Sequence, residues 1–301
     1  MPQEHPPTID PPAAARWERC APAVSPWLHE EVARRMEERL QWIKLRPAAW
    51  AHWGAVRGGV QAHALLANRY PGAASFVVEA RADLAKQAVE ALAKPWWSPQ
   101  RWRSAPTRFE EPPAQGVQML WANMALHMAA DPLALIARWH EALAVGGFLM
   151  FSCLGPDTAQ QLRRMYQALG WPSPGHAFTD MHDWGDMLVQ AGFAEPVMDM
   201  ERITLTYETP AQLLKELREL GCNLHPQRFA ALRGRGWRQR LEQALAQHLA
   251  DPAEANRLPL TFEIIYGHAF KPAPKMRLSA ESAVSLRDMR AMLHTGKRER
   301  E

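Results

Sequence analysis

The sequence predicts an α/β protein, a doubly wound and mostly parallel sheet with a helical insertion in its second half. Two observations carry this. Short apolar runs, among them Ala-Ser-Phe-Val-Val at 74–78 and Val-Gln-Met-Leu-Trp-Ala at 117–122, alternate with helical patterns of 10 to 15 residues. Strands and helices in that alternation build parallel sheets with helices on both faces, and right-handed crossovers leave few topologies. Second, the 301 residues are 47% hydrophobic and 22% charged, an ordinary balance for a globular chain with a sizeable core.

Each element has a local reason. Residues 29–44 place Val32, Met36, Leu40 and Ile43 on one helical face, and Pro47 stops that helix. Residues 48–53 are a short apolar run, followed by the turn Gly54 to Gly59. Residues 60–70 return to helical spacing until Pro71-Gly72. The strand 74–78 ends at Glu79, and residues 82–93 form the next helix. Residues 95–116 are irregular, with a short strand near 101–104. The strand 117–122, the helix 132–143 and the strand 148–153 complete the regular half. Beyond it, residues 157–168 and 180–191 read as helices and 196–207 as a strand. Residues 210–220 and 227–249 are helical, the second interrupted near Gly234 and Gly236, and 258–271 is the last strand.

Residues 1–15 read as a disordered leader, 16–272 as the folded domain, and 273–301 as a mostly disordered charged tail. The leader has neither a secretory nor a transit pattern, and no apolar run reaches the roughly 18 residues of a membrane span. Three cysteines with no CxxC spacing give neither a zinc site nor a disulfide framework, so no metal is expected and a cytoplasmic location is. A net charge of +3 argues against a nucleic-acid partner.

In a doubly wound sheet, ligands bind beyond the carboxyl ends of the strands. Gly54 and Gly58 lie in the turn after the first strand, where glycine lets a backbone approach a ligand and the next helix offers free N–H groups. The same glycines would serve a tight strand-to-helix turn with no ligand at all. Glu79 follows Gly58 by 21 residues at the end of the second strand. A carboxylate there accepts both hydroxyls of a ribose; the other reading is a solvated strand end.

Several stretches then resemble the class I S-adenosylmethionine-dependent methyltransferases, which are Rossmann-like, and more closely the malonyl-acyl carrier protein O-methyltransferases of biotin synthesis. They are Met36 to Pro47, Trp121-Ala-Asn-Met-Ala-Leu-His127, and Gly146 to Ser152 with Gly155-Pro-Asp-Thr158. Phe178 to Asp183 with Ala191-Gly-Phe193, and Thr261 to Lys271, complete the likeness, which covers residues 15–272. The resemblance implies S-adenosylmethionine as cofactor and acyl carrier protein as partner. It places His52, Gly54, Gly58, Glu79, Ser104 and Asn123 at the cofactor. His127, just after the fourth strand, is positioned to face the pocket as a substrate contact, the other reading being a satisfied core histidine, and His176, His182 and Tyr266 are weaker candidates of the same kind. The basic pairs and runs Arg163-Arg164 and Arg233, Arg235, Arg238 and Arg240 are either a docking face for an acidic carrier or solvated helix faces.

The chain also departs from the family pattern. His52 stands where an acid is usual, Val56 where the middle glycine of the loop is usual, Ser104 where an acid often approaches adenine, and Gln118 where an Asp is common. A β-branched side chain disfavours positive φ and crowds a backbone that must approach a ligand. Arg57 adds a positive charge beside a cationic cofactor, unfavourable unless it points to solvent. Three readings follow: an active enzyme with a rebuilt cofactor loop, a methyltransferase with another small-molecule acceptor, and a non-catalytic relative of the same fold acting as a binding or regulatory partner.

Overall fold

A computed structural model describes residues 9–92, 105–229 and 231–274. Its centre is a seven-stranded sheet in the order β3-β2-β1-β4-β5-β7-β6. The strands are β1 (Ala49–Trp53), β2 (Ala74–Val78), β3 (Thr107–Arg108), β4 (Val117–Ala122), β5 (Leu143–Leu154), β6 (Ala194–Tyr207) and β7 (Leu258–Phe270). The first five pair in parallel, while β7 runs antiparallel to both β5 and β6.

Side-chain alternation along these strands feeds two cores, as the two-residue repeat of a strand requires. On one face Trp50, Met119, Trp121, Phe148 and Met150 pack beneath α2 (Trp27–Arg39), α3 (Ala55–Arg69), α6 (Gln160–Ala168), α8 (Pro210–Leu220) and α9 (Arg235–Leu249). On the other, Ala51, Leu120, Leu149 and Phe151 pack against α5 (Pro132–Ala142) and α7 (Met181–Gln190), with Trp139 and Trp184 fully buried. Trp50, Trp53, Trp121, Trp139 and Trp184 thus fill core volume, whereas Trp27 and Trp42 are exposed. Helix α4 (Ala82–Leu92) covers β2 through Leu84 and Ala88. Helices α8 and α9 form the insertion between β6 and β7. No helix among the described residues is long and apolar enough to cross a membrane.

Most elements lie where the sequence places them, and the differences have local causes. Residues 11–15, expected within a disordered leader, belong to α1 (Pro11–Cys20), which carries proline in its first turn and an alanine run. Proline at the first helical position costs no hydrogen bond, and alanine is the best helix former. Ala13 and Ala14 are buried, and Asp10 N–H donates to the Leu224 carbonyl. Residues 227–229 and 231–234, expected as helix, are not helical, and α9 starts after Gly234. The short strand expected near 101–104 lies outside the described residues, as does the tail beyond 274; the described residues between α4 and β4 contain the strand Thr107–Arg108.

Candidate active site

The turn after β1 is built by two glycines in the left-handed region. Gly54 has φ +67 and open space where a side chain would be, and Gly59 has φ +116 and kinks α3. Between them the chain makes one helical turn, with Gly58 N–H donating to the Gly54 carbonyl at 2.7 Å. Val56 therefore needs no positive φ. Its side chain is fully buried against Val77, Leu84 and Ala88. The crowding expected of a β-branched residue here is thus resolved by sending it into the β2–α4 core.

Arg57 turns neither to solvent nor toward the sheet. Its guanidinium donates to the carbonyls of Pro22 and Glu219 at 2.7 and 2.9 Å and lies 4.9 Å from the Trp17 ring. It thereby ties the glycine turn to α1 and to residues 219–220. The Arg57 carbonyl accepts from His29 Nδ1 at 2.6 Å.

Glu79 sits at the tip of β2 facing this turn, and its Oε1 accepts from Val56 N–H at 2.7 Å. Burial pushes its pKa up to about 7. Beside it a cavity of about 140 Å³ is lined by Trp53, Val78, Ala80 and Phe109, among others. Asn123, just past β4, lies on the other side of the turn. Its amide nitrogen donates to the carbonyls of Gly58 and His29, and its Oδ1 accepts from Ser152 Oγ. Asn123 therefore locks the turn to α2 and β5. A Cβ on Gly58 would lie 2.8 Å from the Asn123 carbonyl oxygen, backbone against backbone. Gly58→Ala is expected to lower unfolding stability by about 1–3 kcal/mol, read as a shift in urea midpoint, because neither chain can yield cheaply. An unchanged midpoint would show that the turn is not locked this way.

His52 is fully buried beneath the turn and stacks on His63, with ring centroids 5.9 Å apart and planes 7° from parallel. Neither ring nitrogen of His52 has a hydrogen-bond partner among the described residues. Burial drives its pKa well below the usual histidine value, so the ring is neutral. Gln118 caps β1, accepting from the N–H groups of Ala48 and Ala49. Ser104 lies outside the described residues.

A larger cavity of about 300 Å³ opens beyond the ends of β4 and β5. His127 and His176 line it, with Leu154, Leu162, Phe178 and Phe262 supplying apolar wall. His176 Nε2 donates to the His127 carbonyl at 3.2 Å, and Phe178 meets both imidazoles edge-on. Burial holds His127 well below the usual histidine pKa and His176 at about 4. At neutral pH both rings are uncharged hydrogen-bonding groups. Residues 220–223 form a further wall, so the Arg57 contacts bring the glycine turn and this pocket to a common boundary.

Two of the further substrate contacts the sequence suggests lie elsewhere. His182 is exposed near the start of α7 beside its N-cap Asp180, and Tyr266 donates to Glu201 beneath the Arg39 guanidinium. Conversely, Leu214, Leu217 and Leu241 of the insertion line the pocket, a role that helical periodicity alone does not distinguish from core packing. Among the described residues, no group of three or more His, Cys, Asp or Glu could hold a metal ion.

The chain matches no protein-family model. Its fold is similar to that of a Bacillus halodurans methyltransferase, with a TM-score of 0.52 at 13% identity over 81% of this chain and 100% of that one. The YcgJ protein of Bacillus subtilis gives the same TM-score at 12% identity, covering 80% of this chain and 99% of the other. Curated relatives are more similar in sequence. The malonyl-[acyl-carrier protein] O-methyltransferase of Gallionella capsiferriformans is 38% identical over 258 residues, 83% of this chain and 86% of its own. Those of Laribacter hongkongensis and Nitrosospira multiformis are 36% and 34% identical, each covered over 88% of its length. Identity at this level across most of both chains, on the sheet order seen here, means that the chain belongs to the malonyl-[acyl-carrier protein] O-methyltransferase family.

Proposed function

We propose that this protein is an S-adenosylmethionine-dependent O-methyltransferase that esterifies the free carboxyl group of malonyl-acyl carrier protein in biotin synthesis. The observation that carries this reading is the Glu79 carboxylate at the carboxyl end of β2, bonded to the glycine turn and beside a small cavity, on a chain whose larger, mostly apolar cavity opens beyond β4 and β5.

The residues fit a nucleoside. Glu79 presents a carboxylate for the ribose hydroxyls, Trp53, Val78 and Phe109 offer an apolar wall, and Gly54 leaves space for close approach. His52 and Asn123 are proposed to support the turn from beneath and beside it. When bound, the cofactor supplies an electrophilic methyl group on a sulfonium, which an ionised carboxylate accepts as the sulfonium becomes a neutral thioether. The chain's own contribution is alignment and exclusion of water, since the nucleophile is already charged and needs no base. His127 lines the larger cavity with a neutral imidazole, which would contact the acyl group without competing for a proton.

The rim supports an acidic carrier as partner. Arg218 lines the pocket and is exposed, and Arg235, Arg238 and Arg240 are exposed on α9 beside the pocket residue Leu241. Complementary charge at such a rim speeds and orients docking. A cytoplasmic location goes with this reading, the three cysteines being unpaired.

The test is transfer of labelled methyl from S-adenosylmethionine to malonyl-acyl carrier protein, followed by mass spectrometry of the intact carrier. A gain of one methyl, removed by esterase, is expected. Folded protein that binds both ligands yet transfers nothing would overturn the reading.

A further inference from the structure

The larger cavity contains a charge that its walls do not balance. Arg163, on the first turn of α6, lines it and is half-buried. Its Nη2 donates to the His176 carbonyl at 2.9 Å and its Nε to the Thr158 carbonyl at 3.3 Å. The guanidinium carbon lies 5.6 Å from the centre of the Phe178 ring. Among the described residues, no carboxylate forms an ion pair with it, and its Nη1 has no hydrogen-bond partner.

Other part-buried arginines differ. Arg35 pairs with Glu31 and Glu201, Arg39 with Asp199, Arg69 with Glu37 and Arg228 with Asp10. Arg57 also lacks a carboxylate, but both its Nη atoms are engaged by carbonyls. Arg163 alone in this set is oriented by two carbonyls, left with free donors, and set into a cavity wall.

A guanidinium taken out of water without an anion is costly, and one held rigidly by its own hydrogen bonds presents a fixed fork. That fork matches a carboxylate. The two imidazoles beside it cannot supply the charge, since burial keeps them neutral. Arg218 is exposed at the rim.

We propose that Arg163 receives the free carboxylate of the acyl group and is the residue that selects an acidic acyl chain over a neutral one. This rests on the reading that the cavity holds the acceptor. It has a consequence for turnover: the methyl ester carries no charge, so the group that holds the substrate has far less hold on the product, and release follows from the chemistry itself.

The experiment measures affinities of malonyl- and acetyl-carrier protein for the full-length protein and for Arg163→Gln and Arg163→Lys, with methyl-transfer rates alongside. The wild type is expected to prefer the malonyl form by about 10- to 100-fold, the range for charge-assisted hydrogen bonds. Arg163→Gln should bring that ratio close to one and raise KM for the malonyl carrier, while S-adenosylmethionine affinity is unchanged. Arg163→Lys should keep part of the preference, which separates loss of charge from loss of packing around residues 158 and 176. A purely structural Arg163 would weaken both carriers equally and leave the ratio intact. Transfer by the wild type with an unaltered ratio in Arg163→Gln would overturn this assignment and leave the proposed activity standing. A wild type that neither prefers malonyl nor transfers methyl would overturn both.

Discussion

Lowering the pH from 7 to 4 is expected to unfold this protein, with the transition midpoint above pH 4. Four fully or nearly fully buried histidines, His29, His52, His127 and His176, are held neutral by burial. His29 and His176 titrate near pH 4 in the folded chain against 6.5 when exposed. The unfolded chain therefore takes up protons first, and stability falls as pH drops through 6.5 and levels off below about 4. At pH 4 each of these two costs the fold on the order of 3 kcal/mol, against a total stability of roughly 5–15 kcal/mol. His52 and His127 act in the same direction. Glu79 opposes them: its raised pKa penalises the fold above the ordinary carboxylate range, so acid relieves that cost. One such group does not offset four. Tryptophan fluorescence and circular dichroism against pH would follow the transition, and His52→Phe, which keeps a ring on His63, should move it to lower pH. An unchanged urea midpoint at pH 7 and pH 4 would refute the burial of neutral imidazoles as described.

Replacing Glu79 with alanine is expected to weaken S-adenosylmethionine binding by about 100-fold or more, because two hydrogen bonds to a charged acceptor are lost at about 1.5–3 kcal/mol each. Glu79→Gln should fall between, retaining one acceptor. The wild type should also bind more tightly as pH rises from 6 to 8. The carboxyl titrates near pH 7 before the ligand arrives, and its ionised form is the better acceptor for ribose hydroxyls. Calorimetric titration across that range reads both effects. Affinity that is flat with pH and indifferent to Glu79→Ala would mean that the ribose lies elsewhere. The Val56 N–H that Glu79 accepts would lose its partner in the alanine variant, so the thermal midpoint is measured in parallel.

The glycine turn shows how a departure from a family pattern can be absorbed. Val56 and Arg57 read in sequence as obstacles to a ligand. In three dimensions the turn is helical, Val56 completes the core between β2 and α4, and Arg57 fastens α1 and residues 219–220. Val56 packs behind Val77, Ala88 and Phe109, which line the cavity beside Glu79, and Arg57 points away toward α1 and residues 219–220.

Local physics made much of this molecule legible from residues alone. Alternation and apolar runs fixed β2 and β4 to the residue, and helical spacing fixed Pro210–Leu220, which the structure caps with Thr209. The strand-end position of Glu79 and the glycine turn that opens α3 followed from the same periodicities. What the sequence could not decide were the choices made between distant segments. The antiparallel insertion of β7 between β5 and β6, the bond from Asn123 to Gly58 and His29, and the placing of Arg163 in a wall with His176 each join residues whose separation carries no periodic signal. A side chain's partner there is fixed by which faces pack together and which polar groups remain to be satisfied, and only the folded chain determines that.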